Sequence, residues 1–390
     1  MTKTNDLNPS PSVSQGLVIV GACDVKLWSL DVAERHRRAF AHFGVELLDE
    51  KTPKESVIAV RADYLLSTDL VAAISASRET VLTDASGEVA VAVQTHLANL
   101  DSIQALLRSN TFDRTNPSLK THDVLGPEEL GSSYDDILRK RATPFVLSYA
   151  NTSIDVLEHK TFGAAYKGAT DFVTKWCWPR PAKTVTRWSA ALGLSPNTIT
   201  TVSLVLVLLA TWLFAEGYFL IAIPVAWAMT FLDTVDGKLA RVTLTATQWG
   251  NIYDHGIDLI HPPFWWWAWY VGVIPVASPD IAPALAPALW IIVAGYVVGR
   301  LLEGLFVLFF KIETHIWQPL DFYFRTITAR RNPNLAILTA ATVCGRPDIG
   351  FIGVAVWTVV SLIFHGVRLL QAAILRAQGQ PIVSWLNPKA

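Results

Sequence analysis

Cysteine is scarce: Cys23, Cys177 and Cys344 are the only three in 390 residues, far apart and without a CxxC pair. A disulfide framework and a thiolate zinc site are thereby excluded, and a reducing compartment is the simpler expectation. No charge of one sign prevails either, with Lys+Arg 32 against Asp+Glu 33, so neither nucleic-acid binding nor an acidic tail is expected. The opening MTKTNDLNPSPSVSQG is polar and lacks the apolar core of a secretory signal. Residues 1–15 are expected to be disordered, and the domain after them to remain in the cytoplasm.

Apolar residues are abundant: 51% of the chain is hydrophobic, with 15 tryptophans and a mean hydropathy of +0.34. That is too apolar for a soluble domain of this length, and the excess is unevenly spread. From 16 to 155, short apolar runs such as GLVIVGA, VELL, VIAV, TVLTD and VAVAVQ alternate with helical stretches such as SLDVAERHRRAFAHFG and STDLVAAISAS. This pattern predicts a small soluble α/β domain. Residues 156–194 are basic and aromatic, with Lys167, Lys175, Arg180, Lys183 and Arg187 among Trp176, Trp178 and Trp188, and suit a membrane surface. Residues 195–378 then carry about six apolar stretches near 199–215, 218–239, 252–274, 285–310, 333–344 and 351–375, and 379–390 form a tail. The predicted fold is an α-helical integral membrane protein of about six spans preceded by a small soluble α/β domain. Lys and Arg gather on alternate loops, which puts those loops and both termini in the cytoplasm by the positive-inside rule.

At the cytoplasmic ends of the second and third spans stand four carboxylates. Asp233 and Asp236 are three apart and Asp254 and Asp258 four apart, so on helices each pair shares a face. The short link VTLTATQW lets both pairs converge. Four packed carboxylates repel unless a positive charge compensates them, and oxygen-only ligands suit two hard cations, Mg²⁺ or Mn²⁺. Gly237, Ala240 and Gly250 allow close approach to a ligand, and Arg241 offers a planar cation for phosphate. Together these describe a phosphoryl-transfer site.

The run DTVDGKLARVTLTATQWGNIYDHGID, Asp233 to Asp258, resembles the CDP-alcohol phosphotransferase signature DxxDGxxAR, about eight residues, then GxxxDxxxD, with every fixed position filled. LSPNTITT, entering the first span, is similar to that family's first helix entry. The resemblance implies transfer of a substituted phosphate from a CDP-alcohol to an acceptor hydroxyl, releasing CMP and forming a phosphodiester in phospholipid or polyol synthesis. It implies that Asp233, Asp236 and Asp254 hold two divalent metals and that Asp258 is the general base, also touching a metal. Gly237, Ala240, Arg241 and Gly250 would shape the nucleotide pocket, with Asn197 and Thr200 nearby. Members of that family commonly form homodimers.

On the acceptor side, Arg300 is expected either to pair with Glu303 on its own helix or to bind a phosphorylated polyol acceptor. Lys311, Arg325, Arg330 and Arg331 cluster beyond it; Lys311, Arg330 and Arg331 are further acceptor candidates, although the positive-inside rule alone would put cations there. His255 and His261 are expected to pack around the site, and FWWWAWY, Phe264 to Tyr270, to form an interfacial or lipid-facing belt. The N-terminal domain resembles a nucleotidyltransferase of the kind fused to some members of the family. Its GxGxR loop is replaced by VGACDVKLW, however, so a degenerate scaffolding or regulatory domain is expected, with Asp63 the residue to watch. Two other readings compete. Intramembrane prenyltransferases also bind Mg²⁺ through aspartate motifs, but usually well separated ones. An acidic-site ion transporter would place its acids at mid-membrane within internal repeats, which this chain lacks.

Overall fold

The computed structural model describes residues 15–49 and 54–387. The expected disordered segment 1–15, apart from Gln15, lies outside the described residues, as does the end of the expected tail 379–390. The chain divides into two compact units. The first takes the residues up to Ile137, Arg141–Tyr166 and Arg241–Thr245; the second takes Leu138–Lys140, Lys167–Ala240 and Ala246 onward. Helix Ile154–Ala164 therefore falls with the first unit rather than with the basic segment after it.

The first unit is built on a six-stranded sheet. Its order is Glu46–Leu47, Gln15–Val20, Ser56–Arg61, Ala90–His96, Thr80–Thr83, Asp123–Leu125. The sheet is mixed, because Ala90–His96 runs antiparallel to both its neighbours while the remaining pairs are parallel. Ser56–Arg61 is buried along its whole length, which its continuous apolar run encodes. Ile58 and Val60 pack with Phe40, Leu70 and Ile74, whereas Ala59 between them packs with Ile103 and Leu107. Helices thus cover both faces. After the first strand comes Gly21 at φ +87, then the hairpin Lys26–Leu27 with Leu30–Asp31, turned by Trp28 and Ser29 at φ 57 and 61. Left-handed backbone without glycine costs about 1–2 kcal/mol per residue. Burial of the Trp28 indole, whose Nε1 donates to Thr161 Oγ1 at 2.8 Å, offsets it. Arg35 and Arg38 donate to the carbonyls of Val242 and Thr243, satisfying acceptors that a helix end leaves open.

In the second unit all six predicted spans are helices. Pro196–Ala215, Phe219–Val242, Ala282–Phe310 and Pro347–Ala377 are long and apolar enough to cross a membrane. Gln248–Val273 is also long, but the polar residues of its first half lower its hydropathy, and Arg331–Val343 has only 13 residues. Ser195 caps the first of these helices by accepting from Thr198 N, with Pro196 in its first turn, which explains the LSPNT sequence. Thr247 accepts from Gly250 N and restarts the chain as helix after the link. The aromatic run is not a belt. Trp265, Trp266 and Trp269 lie in the bundle core, and only Phe264 and Trp267 face outward. Helical spacing splits the run between two faces, and the indole N–H groups of Trp265 and Trp269 reach the carbonyls of Val207 and Pro347.

Candidate active site

The helix hairpin Phe219–Val242 and Gln248–Val273 brings the aspartates together. One carboxylate oxygen from each of Asp233, Asp254 and Asp258 lies within 4.8 Å of the other two. Asp236 is buried and within electrostatic reach of Asp233 and Asp258. Its Oδ2 accepts from Thr200 Oγ1 at 2.6 Å, while its Oδ1 has no hydrogen-bond partner. A buried carboxylate oxygen without a donor is costly unless a cation meets it. Clustered hard oxygens with one orphaned lone-pair set therefore fit a divalent cation, and among these residues Asp233, Asp236, Asp254 and Asp258 would hold it.

Arg331, the first residue of helix Arg331–Val343, reaches the same cluster. Its guanidinium donates through Nη1 to Asp258 and through Nη2 to Asp233. Arg330, its neighbour, turns to a second group, donating through Nη2 to Glu303 Oε1 at 2.5 Å and lying 3.1 Å from His315 Nε2. Arg300 Nη2 pairs with Glu303 Oε2 at 3.1 Å, so the expected intrahelical ion pair is present. Glu303, His315 and His365 offer three possible metal ligands within 4.8 Å. Two guanidiniums already neutralise that single carboxylate, however, and would repel a cation. Unsatisfied donors point the other way: Arg300 Nε, Arg325 Nη1 and Arg330 Nε are buried without partners. Burial, and next the charge of Arg330, pulls the pKa of Arg325 down. An anion would relieve both deficits.

Most predicted positions lie close to these groups. Asn197 touches Gly250, where an added Cβ would stand 2.8 Å from Asn197 Oδ1, so this glycine serves close approach. Thr200 binds Asp236. Gly237 and Ala240 follow Asp236 on the same helix. Arg241 donates through Nε to the Ala165 carbonyl, a contact within the first unit. Lys311 is exposed at the left-handed cap of Ala282–Phe310, where its backbone N–H donates to the Val307 carbonyl. His261 packs on Trp265, and His255 lies 3.6 Å from Asp254. Sequence reasoning missed His315, His365 and Asn334. A buried histidine in an apolar helix such as Pro347–Ala377 was a usable signal for the second of these. Asn334 is buried, its Oδ1 without a partner, and it borders a small cavity with Trp266, Tyr296, Arg330 and Arg331.

Residues 193–328, which contain all four aspartates, match the family model described as CDP-alcohol phosphatidyltransferase. An archaetidylinositol phosphate synthase of Pyrococcus horikoshii is 32% identical over 79 residues, 20% of this chain; the chain spans only 42% of that relative's length. Among solved structures, the phosphatidylinositol phosphate synthase of Mycobacterium tuberculosis with CDP-DAG bound is similar at a TM-score of 0.37 and 17% identity. That match covers 49% of this chain and 94% of the other.

Proposed function

We propose that this chain, whose residues 193–328 match a CDP-alcohol phosphatidyltransferase domain, transfers the substituted phosphate of a CDP-alcohol to an acceptor hydroxyl and releases CMP. The observation that carries the reading is the convergence of Asp233, Asp254 and Asp258 beside the orphaned oxygen of Asp236. Divalent cations bound there, Mg²⁺ or Mn²⁺ and by the number of acids two of them, would neutralise the donor pyrophosphate and make CMP a better leaving group. Asp258 takes the proton of the acceptor hydroxyl as its oxygen bonds to the β-phosphorus and the bond to CMP breaks. Asn197 and Gly250 form the wall against which the nucleotide packs. Thr200 fixes the rotamer of Asp236.

The acceptor we infer is a phosphorylated polyol. Arg300 Nε, Arg325 Nη1 and Arg330 Nε are buried donors without partners, and Arg330 adjoins in sequence the arginine that reaches the carboxylates. The name of the Pyrococcus horikoshii relative, archaetidylinositol phosphate synthase, is in keeping with that chemistry. The distribution of Lys and Arg along the chain favours a cytoplasmic face for the site. We read the first unit as a scaffold without nucleotidyl transfer. Its Asp63 is taken by Arg61 at 2.7 and 2.9 Å, and the segment after the first strand folds into a hairpin around Trp28.

The test is CMP release by the detergent-purified protein with Mg²⁺, across CDP-diacylglycerol and CDP-polyols against glycerol phosphate, inositol phosphate and unphosphorylated alcohols. One donor and acceptor pair should give CMP, and Asp258→Asn should lower the rate about 10²–10⁴-fold. No CMP above the variant with any pair would refute the reading.

A further inference from the structure

Arg331 holds two of the carboxylates that the cations are expected to need. Its two Nη atoms engage Asp233 Oδ2 and Asp258 Oδ1, members of the three-carboxylate cluster, and the arginine side chain is only 16% exposed. A guanidinium fork and a dication compete for the lone pairs of these carboxylates, and the two cations repel at such close range. Arg331 also borders the cavity formed with Arg330, Trp266, Tyr296 and Asn334, and the unpartnered Oδ1 of Asn334, less than one turn further along the helix, is an acceptor there. Arg331 is the first residue of its helix, where the side chain can turn without threading past a preceding helical turn.

We propose that Arg331 is an exchangeable counter-ion: it and the divalent cations compete for Asp233 and Asp258, and cation loading releases its guanidinium from the two carboxylates. This rests on the reading that the aspartates take divalent metal. The exchange keeps the carboxylates from facing one another uncompensated and makes a second cation available to an anionic substrate only once the metal is in place. Arg331 is thus a positioning residue acting through Asp233 and Asp258.

The experiment is direct Mn²⁺ binding to the full chain in detergent, measured by the EPR signal of the free ion, with Arg331→Met and Arg331→Lys beside the wild type. Removal of the competitor should tighten Mn²⁺ binding at least tenfold in Arg331→Met, with Arg331→Lys in between. A side chain with only a structural role would leave affinity unchanged or weaken it, and either result would overturn the exchange while leaving the metal reading standing. No Mn²⁺ bound by any of the proteins would overturn both. A second measurement needs no variant: modification of Arg331 by phenylglyoxal, located by peptide mass spectrometry, should rise severalfold when Mn²⁺ is added to the wild type. Unchanged or lower modification refutes the proposal.

Discussion

Thr200→Val isolates one hydrogen bond of the candidate site. The Thr200 hydroxyl has a single proton and two acceptors in reach, Asp236 Oδ2 at 2.6 Å and the Pro196 carbonyl at 3.1 Å. The shorter, charged contact takes it. Both side chains are buried, so no solvent replaces a lost donor. Valine keeps the shape of threonine, and Asp236 would lose its side-chain donor while Oδ1 already has no partner. A hydrogen bond to a charged group contributes about 1.5–3 kcal/mol. At about 1.4 kcal/mol per tenfold change, Thr200→Val should weaken the apparent affinity for Mg²⁺ by roughly 10- to 100-fold, the range expected when a ligand's orienting partner is removed. The assay is CMP release as a function of Mg²⁺ concentration, with Thr200→Ser as the control that keeps the hydroxyl. Wild-type Mg²⁺ dependence in Thr200→Val would show that the contact does not orient Asp236 for metal, and the reasoning would fail.

Arg325→Gln should raise KM for a phosphorylated acceptor by about tenfold or more, the equivalent of one charge-assisted bond, and leave an unphosphorylated alcohol unaffected; equal effects on both would refute the anion site. Gly250→Ala sets a methyl group 2.8 Å from Asn197 Oδ1 and 3.0 Å from Thr247 Oγ1. Both are side-chain tips that can yield, so the expected loss is that of the Thr247 cap, about 1 kcal/mol, read as a lower Tm together with a raised KM for the CDP-alcohol. His36 is fully buried in the first unit, where burial, and next the charge of Arg35, lowers its pKa to about 4 from 6.5. The unfolded chain then binds the proton first as pH falls, so stability is intact above pH 6.5 and declines towards pH 4 by about 3 kcal/mol. Hydrogen exchange of Ser56–Arg61 at pH 7 and 4.5 should register that loss in the wild type and less of it in His36→Gln.

The four aspartates were legible because their chemistry repeats at helical spacing along one continuous hairpin. Periodicity also gave five of the six strands of the main sheet of the first unit and two of its helices, since a strand buried on both faces reads as an uninterrupted apolar run. The features that escaped are non-local. Nothing along the chain says that Arg330 and Arg331, adjacent in sequence, reach different groups, or that Glu303, His315 and His365 meet from three separate elements. The tryptophan run misled for a related reason: aromatic content marks both a membrane interface and a tightly packed core, and helical phase alone assigns Trp265, Trp266 and Trp269 to the latter.

The shortness of Arg331–Val343 fixes a depth. Thirteen residues rise about 20 Å, against a hydrocarbon core of about 30 Å. The far end of this helix leads into a polar knot, Arg346 and Ser278 on Asp348, that belongs at a membrane surface. Along its own axis the helix is thus about 10 Å shorter than that core, with Arg331, Asp233 and Asp258 at its near end. In a bilayer of that thickness the carboxylates at the near end of the helix would stand below the headgroup plane, where a water-soluble partner would descend into the leaflet and a lipid partner slide in sideways.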